Sequence, residues 1–216
     1  MVPVLQGEEN IRSVIQNTSI EDLALISANA YLDGIERTPQ LGNDPYAHER
    51  LRRSLVTVKE DFDFCFIDTP PSLGWLTQSA FFAAHYSVIC VIPEAYSVIA
   101  LRRLKEFHES IKQYHNIDVF GVILSFWDER GAVNKAFLGE INSSFPHKLF
   151  NLKVRRDMTV SRAVLKGQPV IETDESSRAS QDYRALTEEF LSRFLKESTA
   201  NHLNQLVSKS QTKVTV

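Results

Sequence analysis

Hydrophobic positions along the chain come in two rhythms. Short and nearly uninterrupted apolar runs stand at 62–67 (Phe62, Phe64, Cys65, Phe66 and Ile67), at 86–92 and at 119–127. Runs of this length, closed by polar residues or proline, read as strands covered on both faces. Between them the apolar residues recur every three to four positions, as in Leu51, Leu55 and Val58, or Ile99, Leu101, Leu104, Phe107 and Ile111. The same spacing returns in Tyr183, Leu186, Phe190, Leu191 and Phe194, and each set marks one face of a helix. The pattern predicts helices over 8–16, 29–36 (with Asn29 as its cap), 46–58, 73–84, 96–114, 133–143, 159–165 and 179–196. It predicts strands over 23–26, 62–67, 86–92 and 119–127, and a short strand or turn over 148–153. A loop over 38–45 is rich in Pro, Gly and Asn.

Strands this apolar, alternating with helices, predict an α/β fold with an open, mostly parallel sheet and helices on both faces. The expected boundaries are one domain over 1–197 and a polar, disordered tail over 198–216. The length of 216 residues suits one domain with a sizeable core. Cys65 and Cys90 both fall in predicted strands, so they read as small buried hydrophobes in a reduced compartment. The opening residues carry no basic stretch followed by a long apolar one. No apolar run approaches the ~20 residues that cross a bilayer. Cytoplasm is the expected location.

Net charge is -3, but its distribution is uneven. Residues 1–71 hold 6 Lys/Arg against 12 Asp/Glu, while residues 148–166 hold 6 (Lys148, Lys153, Arg155, Arg156, Arg162 and Lys166) against Asp157 alone. A basic run of this kind is either a solvated charged face or an electrostatic footprint for phosphate. The six histidines show no metal-ligand spacing, and no nucleophile elbow or reactive-cysteine setting occurs.

One polar boundary carries chemistry. The run at 62–67 ends in Asp68, Thr69, Pro70, Pro71, Ser72, Leu73 and Gly74. A carboxylate at the C-terminal end of a buried parallel strand sits where open α/β sheets bind ligands. These residues, with Leu76, Thr77 and Ala80, resemble the Walker B and switch II segment of the ParA family of DNA-partition ATPases, and the resemblance continues to about Phe194. It implies a nucleotide-hydrolase fold, Mg-ATP as cofactor, Asp68 as the Mg-associated catalytic carboxylate, and Thr69, Pro70 and Ser125 beside the nucleotide. Ser125, Phe126, Trp127, Asp128 and Arg130 resemble a Thr-Met-Tyr-Asp-x-Arg pattern of the family, although Trp127 reads equally as a core or interface aromatic.

The family's phosphate-binding loop is not matched. Such a loop needs a glycine followed by Lys and Ser or Thr, and none of the eight glycines is followed by Lys. Met1 corresponds to a point beyond the family's first strand, loop and helix, so about 50 residues of the pattern are absent. The expectation is an α/β sheet without its first strand–loop–helix unit. The chain would then be part of a longer protein, a decayed copy, or one completed by a partner. Without that loop the carboxylate alone does not assemble phosphoryl transfer.

The basic segment also carries the resemblance. Residues 151–163, followed by Lys166, Gly167, Gln168, Pro169 and Val170, resemble a family segment with an Ile-Pro-Arg-Asn core, and Arg178 falls on a second family arginine. The resemblance implies that Arg156 and Arg178 contact DNA without regard to sequence, with Arg155, Arg162 and Lys166 adding charge. Arg155 stands where the family has proline. The implied partners are non-specific DNA, a ParB-like centromere-binding protein and a second copy in a homodimer, with no membrane. The implied setting is the cytoplasm, on the nucleoid or a plasmid. Residues after Asp68 differ from the Ser-Pro-Ala-Gly of the membrane-positioning MinD type. A DNA- or partner-binding module without nucleotide turnover is the competing expectation.

Overall fold

The computed structural model describes residues 1–94, 96–131 and 134–211, and side chains over the same ranges except at 40 and 200–211. It divides into two compact units, one formed by 1–87 and 102–120 and the other by 88–101 and 121–216.

The first unit is built from short pieces. Helix α1 (Val2–Gln6) is followed by a single 3-10 turn at Ile11–Val14, not by a helix over 8–16. The Asn10 side chain accepts from the Arg12 N–H at 2.9 Å, a local bond that competes with helix extension in so short a segment. Two-residue strands β1 (Gln16–Asn17) and β2 (Ala24–Leu25) pair antiparallel. Asn29 does cap, accepting from the Tyr31 N–H at 3.0 Å. The expected helix over 29–36 nevertheless breaks into turns at Ala30–Leu32 and Ile35–Arg37, because Gly34 between them adopts φ 74, a left-handed value. Then come α2 (Pro39–Gly42), α3 (Arg50–Val56) and α4 (Trp75–Ala83). Leu5, Ile35, Leu41, Ala47 and Leu51 form their core, with Ile67, Trp75 and Leu76 packed against it.

The largest departure from expectation lies at 62–67, which is not a strand. Neither sheet among the described residues includes it. An apolar run becomes a strand only where neighbours take up its N–H and C=O groups. Only Ile67 reaches the core, while Phe66 is 74% exposed. Cys65 and Cys90 are both exposed, which corrects the expectation that they are buried.

The larger sheet draws most of its residues, 88–91, 121–127 and all of its last strand, from the second unit. Strands β3 (Tyr86–Val91), β4 (Asp118–Trp127) and β5 (Leu149–Arg155) run in the order β3-β4-β5, and β4 is parallel to β5. Helices α5 (Ser97–Lys112), α6 (Asn134–Ser144), α7 (Met158–Leu165), α8 (Val170–Thr173) and α9 (Arg178–Gln211) alternate with or follow them. Val133, the expected start of α6, lies outside the described residues. Val122, Leu124, Phe137, Ile141 and Phe150 are among its fully buried side chains. Gly121 allows β5 to approach closely: a Cβ there would lie 2.3 Å from Phe150 Cε2. Among the described residues, α9 carries helix through 198–211, so the segment read as a disordered tail is helical to Gln211, while 212–216 lie outside them.

Candidate nucleic-acid interface

The site grows from the open edge of β5. An edge strand presents N–H groups that need partners, and here α9 supplies them through side chains. Glu189 accepts from the N–H groups of Asn151 and Leu152, each at 2.9 Å, and Asp182 accepts from the Arg155 N–H at 2.9 Å. Arg193 donates to the Leu149 carbonyl at 2.7 Å and stacks over the Phe150 ring at 4.1 Å. Positions 182, 189 and 193 fall on one helical face, because seven and eleven residues are close to two and three turns. That face also carries Leu186 and Phe190, while Tyr183 and Leu191, expected in the core, are exposed. Burial works to raise the Asp182 and Glu189 carboxyls. The N–H donors and the guanidiniums of Arg155 and Arg193 outweigh it, and both stay below the ordinary carboxylate range.

This edge consumes part of the basic run. Arg155 is bound bidentately by Asp182, at 2.7 and 3.0 Å. The Lys153 ammonium sits over the Trp127 ring at 4.3 Å, and Trp127 is buried, which places it in the core. Arg156, Arg162 and Lys166 remain exposed, and among the described residues their side chains make no ion pair or hydrogen bond. They occupy the end of β5, the middle of α7 and the residue after it. Met158, Val164 and Leu165 are exposed beside them.

Past Arg156 the chain turns at Asp157, the N-cap of α7, which accepts from the Thr159 N–H at 3.0 Å. Its second oxygen accepts from the Ala179 N–H at 3.2 Å, and Arg178 Nε lies 3.9 Å from that oxygen. The Thr159 N–H, with help from Ala179 and Arg178, holds the Asp157 carboxyl below its ordinary range. Ser177 accepts from the Ser180 N–H at 3.2 Å and so caps α9. Arg178 therefore starts a helix anchored at two points, with its guanidinium largely in water. Sequence reasoning missed Asp157, Asp182 and Glu189. Their signals are an aspartate, a preferred cap, just before the predicted helix at 159–165, and acids on the face of the last helix where apolar residues are expected.

The nucleotide-facing candidates are placed differently. Asp68, Thr69 and Pro70 belong to the first unit, exposed on the segment that forms neither helix nor strand. Ser125 belongs to the second, half-buried near the end of β4. There the register shifts between Leu124 and Trp127, and Phe126 adopts φ 54, a strained value for a bulky residue. No group of three His, Cys, Asp or Glu positioned for a metal occurs among the described residues. With no Gly-Lys-[Ser/Thr] in the chain, these residues do not fit a Mg-ATP cradle on their own.

An AAA domain family matches residues 1–120. A ParA family protein of Chlamydia muridarum (strain MoPn / Nigg) is 47% identical over 188 residues, 87% of this chain and 74% of that protein. A virulence plasmid ParA family protein of Chlamydia psittaci is 37% identical over 189 residues, 86% of this chain and 70% of that protein. Among solved structures, a plasmid partition protein from Borrelia burgdorferi B31 bound to AMPPNP superposes with a TM-score of 0.72 at 21% identity, over 91% of this chain and 74% of that one. The α/β nucleotide-hydrolase architecture expected from the sequence is the one shared with that structure.

Proposed function

This chain belongs to the ParA family, and from that premise we propose that it is a chromosome or plasmid partition protein whose second unit binds DNA without sequence preference. The observation that supports the DNA surface is the sorting of its cations. Lys153 is taken by the Trp127 ring and Arg155 by Asp182, while Arg156, Arg162 and Lys166 are left to solvent on one continuous strand–turn–helix, with Arg178 beside them. Sequence-independent binding needs cations that meet phosphates and little else. Arg155, expected from the resemblance to touch DNA, acts on this proposal as a clamp on α9.

On the same proposal the partners are DNA, a ParB-like centromere-binding protein and a second copy of the chain. The location is the cytoplasm, on the nucleoid or a plasmid. No helix among the described residues is long and apolar enough to cross a membrane. Mg-ATP belongs to the complete proteins of the family, with Asp68 as its carboxylate and Thr69, Pro70 and Ser125 near the nucleotide. No catalytic step is assigned to the residues of this chain.

The test is binding to a random-sequence duplex, read by fluorescence anisotropy between about 50 and 200 mM salt. Each phosphate met by a cation contributes about 0.9 to the slope of log affinity against log salt. Three free cations give a slope of about -2.7, and about -3.6 if Arg178 joins them. Arg156→Glu together with Arg178→Glu abolishes binding at low salt. A wild-type protein that fails to bind at the lowest salt, or a double variant that binds unchanged, defeats the proposal.

A further inference from the structure

We infer that Asp157 is the positioning residue of the DNA surface: one carboxylate ties the start of α7 to the start of α9, and so sets Arg156 and Arg178 as a fixed pair. The inference rests on the DNA-binding reading above. One oxygen of Asp157 accepts from the second residue of α7, Thr159, at 3.0 Å. The other accepts from the second residue of α9, Ala179, at 3.2 Å, across 22 positions of sequence. The side chain is only 11% exposed, so neither bond is replaced cheaply by water. Two helix N-termini, each with partial positive charge, repel when brought together. The carboxylate between them offsets that repulsion. Arg156 precedes Asp157 in the chain, about 3.8 Å away from Cα to Cα. Arg178 precedes Ala179. Arg156 is thus one peptide from the residue that bears this carboxylate, and Arg178 one peptide from a residue that it holds.

The carboxylate has a second effect of opposite sign. Its negative charge lies near Arg178 and opposes an incoming phosphate. Asp157→Asn removes the charge and keeps one acceptor oxygen, enough for one of the two N–H groups; its NH2 end donates and cannot take the other. Asp157→Ala removes both acceptors.

The experiment is anisotropy with the random duplex on wild type, Asp157→Asn and Asp157→Ala, together with amide hydrogen exchange at Thr159 and Ala179. Asp157→Asn is expected to hold one of the two amides, to speed exchange at the other, and to lose about 0.9 from the salt slope as Arg178 leaves its place. Asp157→Ala is expected to bind more weakly, to lose about 0.9 from the slope as Arg178 leaves its place, and to speed exchange at both amides together. Equal affinity and slope in Asp157→Ala, or independent exchange at the two amides, overturns the inference. If Asp157→Ala does not fold, Asp157→Asn decides: a salt slope equal to that of wild type overturns it. A wild type that shows no salt-dependent binding overturns the DNA reading itself. A wild type that binds beside an indifferent Asp157→Ala overturns only the role of Asp157.

Discussion

Replacing Arg155 by alanine separates a structural cation from a phosphate-binding one. The pair with Asp182 is asymmetric: the Asp182 side chain is 9% exposed and Arg155 42%. In Arg155→Ala the carboxylate stays buried with one donor, the backbone N–H of residue 155. Breaking a fully buried pair costs about 3–5 kcal/mol, and an exposed pair is worth at most about 1 kcal/mol. Water screens part of the arginine, so an intermediate cost of about 2 kcal/mol follows. For a chain of this size that lowers Tm by about 4–8 °C. Asp182→Asn should cost less, because Arg155 can turn to water and the amide oxygen still accepts from the strand. The pH dependence has a definite sign. The Asp182 carboxyl lies below its ordinary value in the folded protein. Its contribution is therefore complete above the unfolded value near 3.9 and is lost as pH falls through the folded one. The Tm difference between wild type and Arg155→Ala should close in acid below about pH 4. Thermal unfolding followed by circular dichroism gives Tm, and anisotropy below both Tm values gives the salt slope. An unchanged Tm with a slope smaller by about 0.9 would show that Arg155 meets a phosphate, and the reasoning fails.

Gly121→Ala places a methyl group 2.3 Å from Phe150 Cε2 and 3.0 Å from the Lys148 carbonyl, so it should destabilise by about 1–3 kcal/mol in a denaturant titration. Adding Phe150→Leu should return part of that loss, and a Gly121→Ala protein as stable as wild type refutes the close approach. His48 and His108 are held below their ordinary values by burial. In the fold they take up a proton less readily, so stability should fall as pH drops below about 6.5, where the unfolded chain takes up the protons first. His108→Gln should flatten that limb of the Tm profile by a few degrees, roughly what 1 kcal/mol gives. An identical profile excludes His108 as a source.

The sheet and the helices around it were the more legible in the sequence. β3, β4, α4, α5 and α7 follow the apolar rhythm within a few residues, because the strands and one face of each helix are covered locally. The stretch before α4 was less so. The 62–67 run has strand composition, but strand formation depends on a neighbour that lies elsewhere in sequence, and composition cannot supply one. The site was legible as charge and illegible as geometry. Arg155 and Arg156 are adjacent and chemically identical, yet one is bound by Asp182 and the other faces water. Nothing local distinguishes them, since the difference is set 27 residues later in α9.

Edge protection and phosphate binding draw on the same side chains. β5 ends the sheet, and its N–H groups must be met. A further strand would meet them with backbone groups and leave the basic run untouched. A helix must meet them with carboxylates, and every carboxylate so placed recruits a cation: Asp182 takes Arg155, and Glu189 takes Arg193 at 2.6 Å. The free cations are those beyond the reach of α9, past the end of β5. The same packing that closes the sheet therefore limits how many phosphates the surface can meet and moves the footprint onto the turn and α7. A variant that weakens α9 on β5 without touching Arg156, Arg162 or Lys166, such as Glu189→Gln, should accordingly alter stability and leave the salt slope where it was.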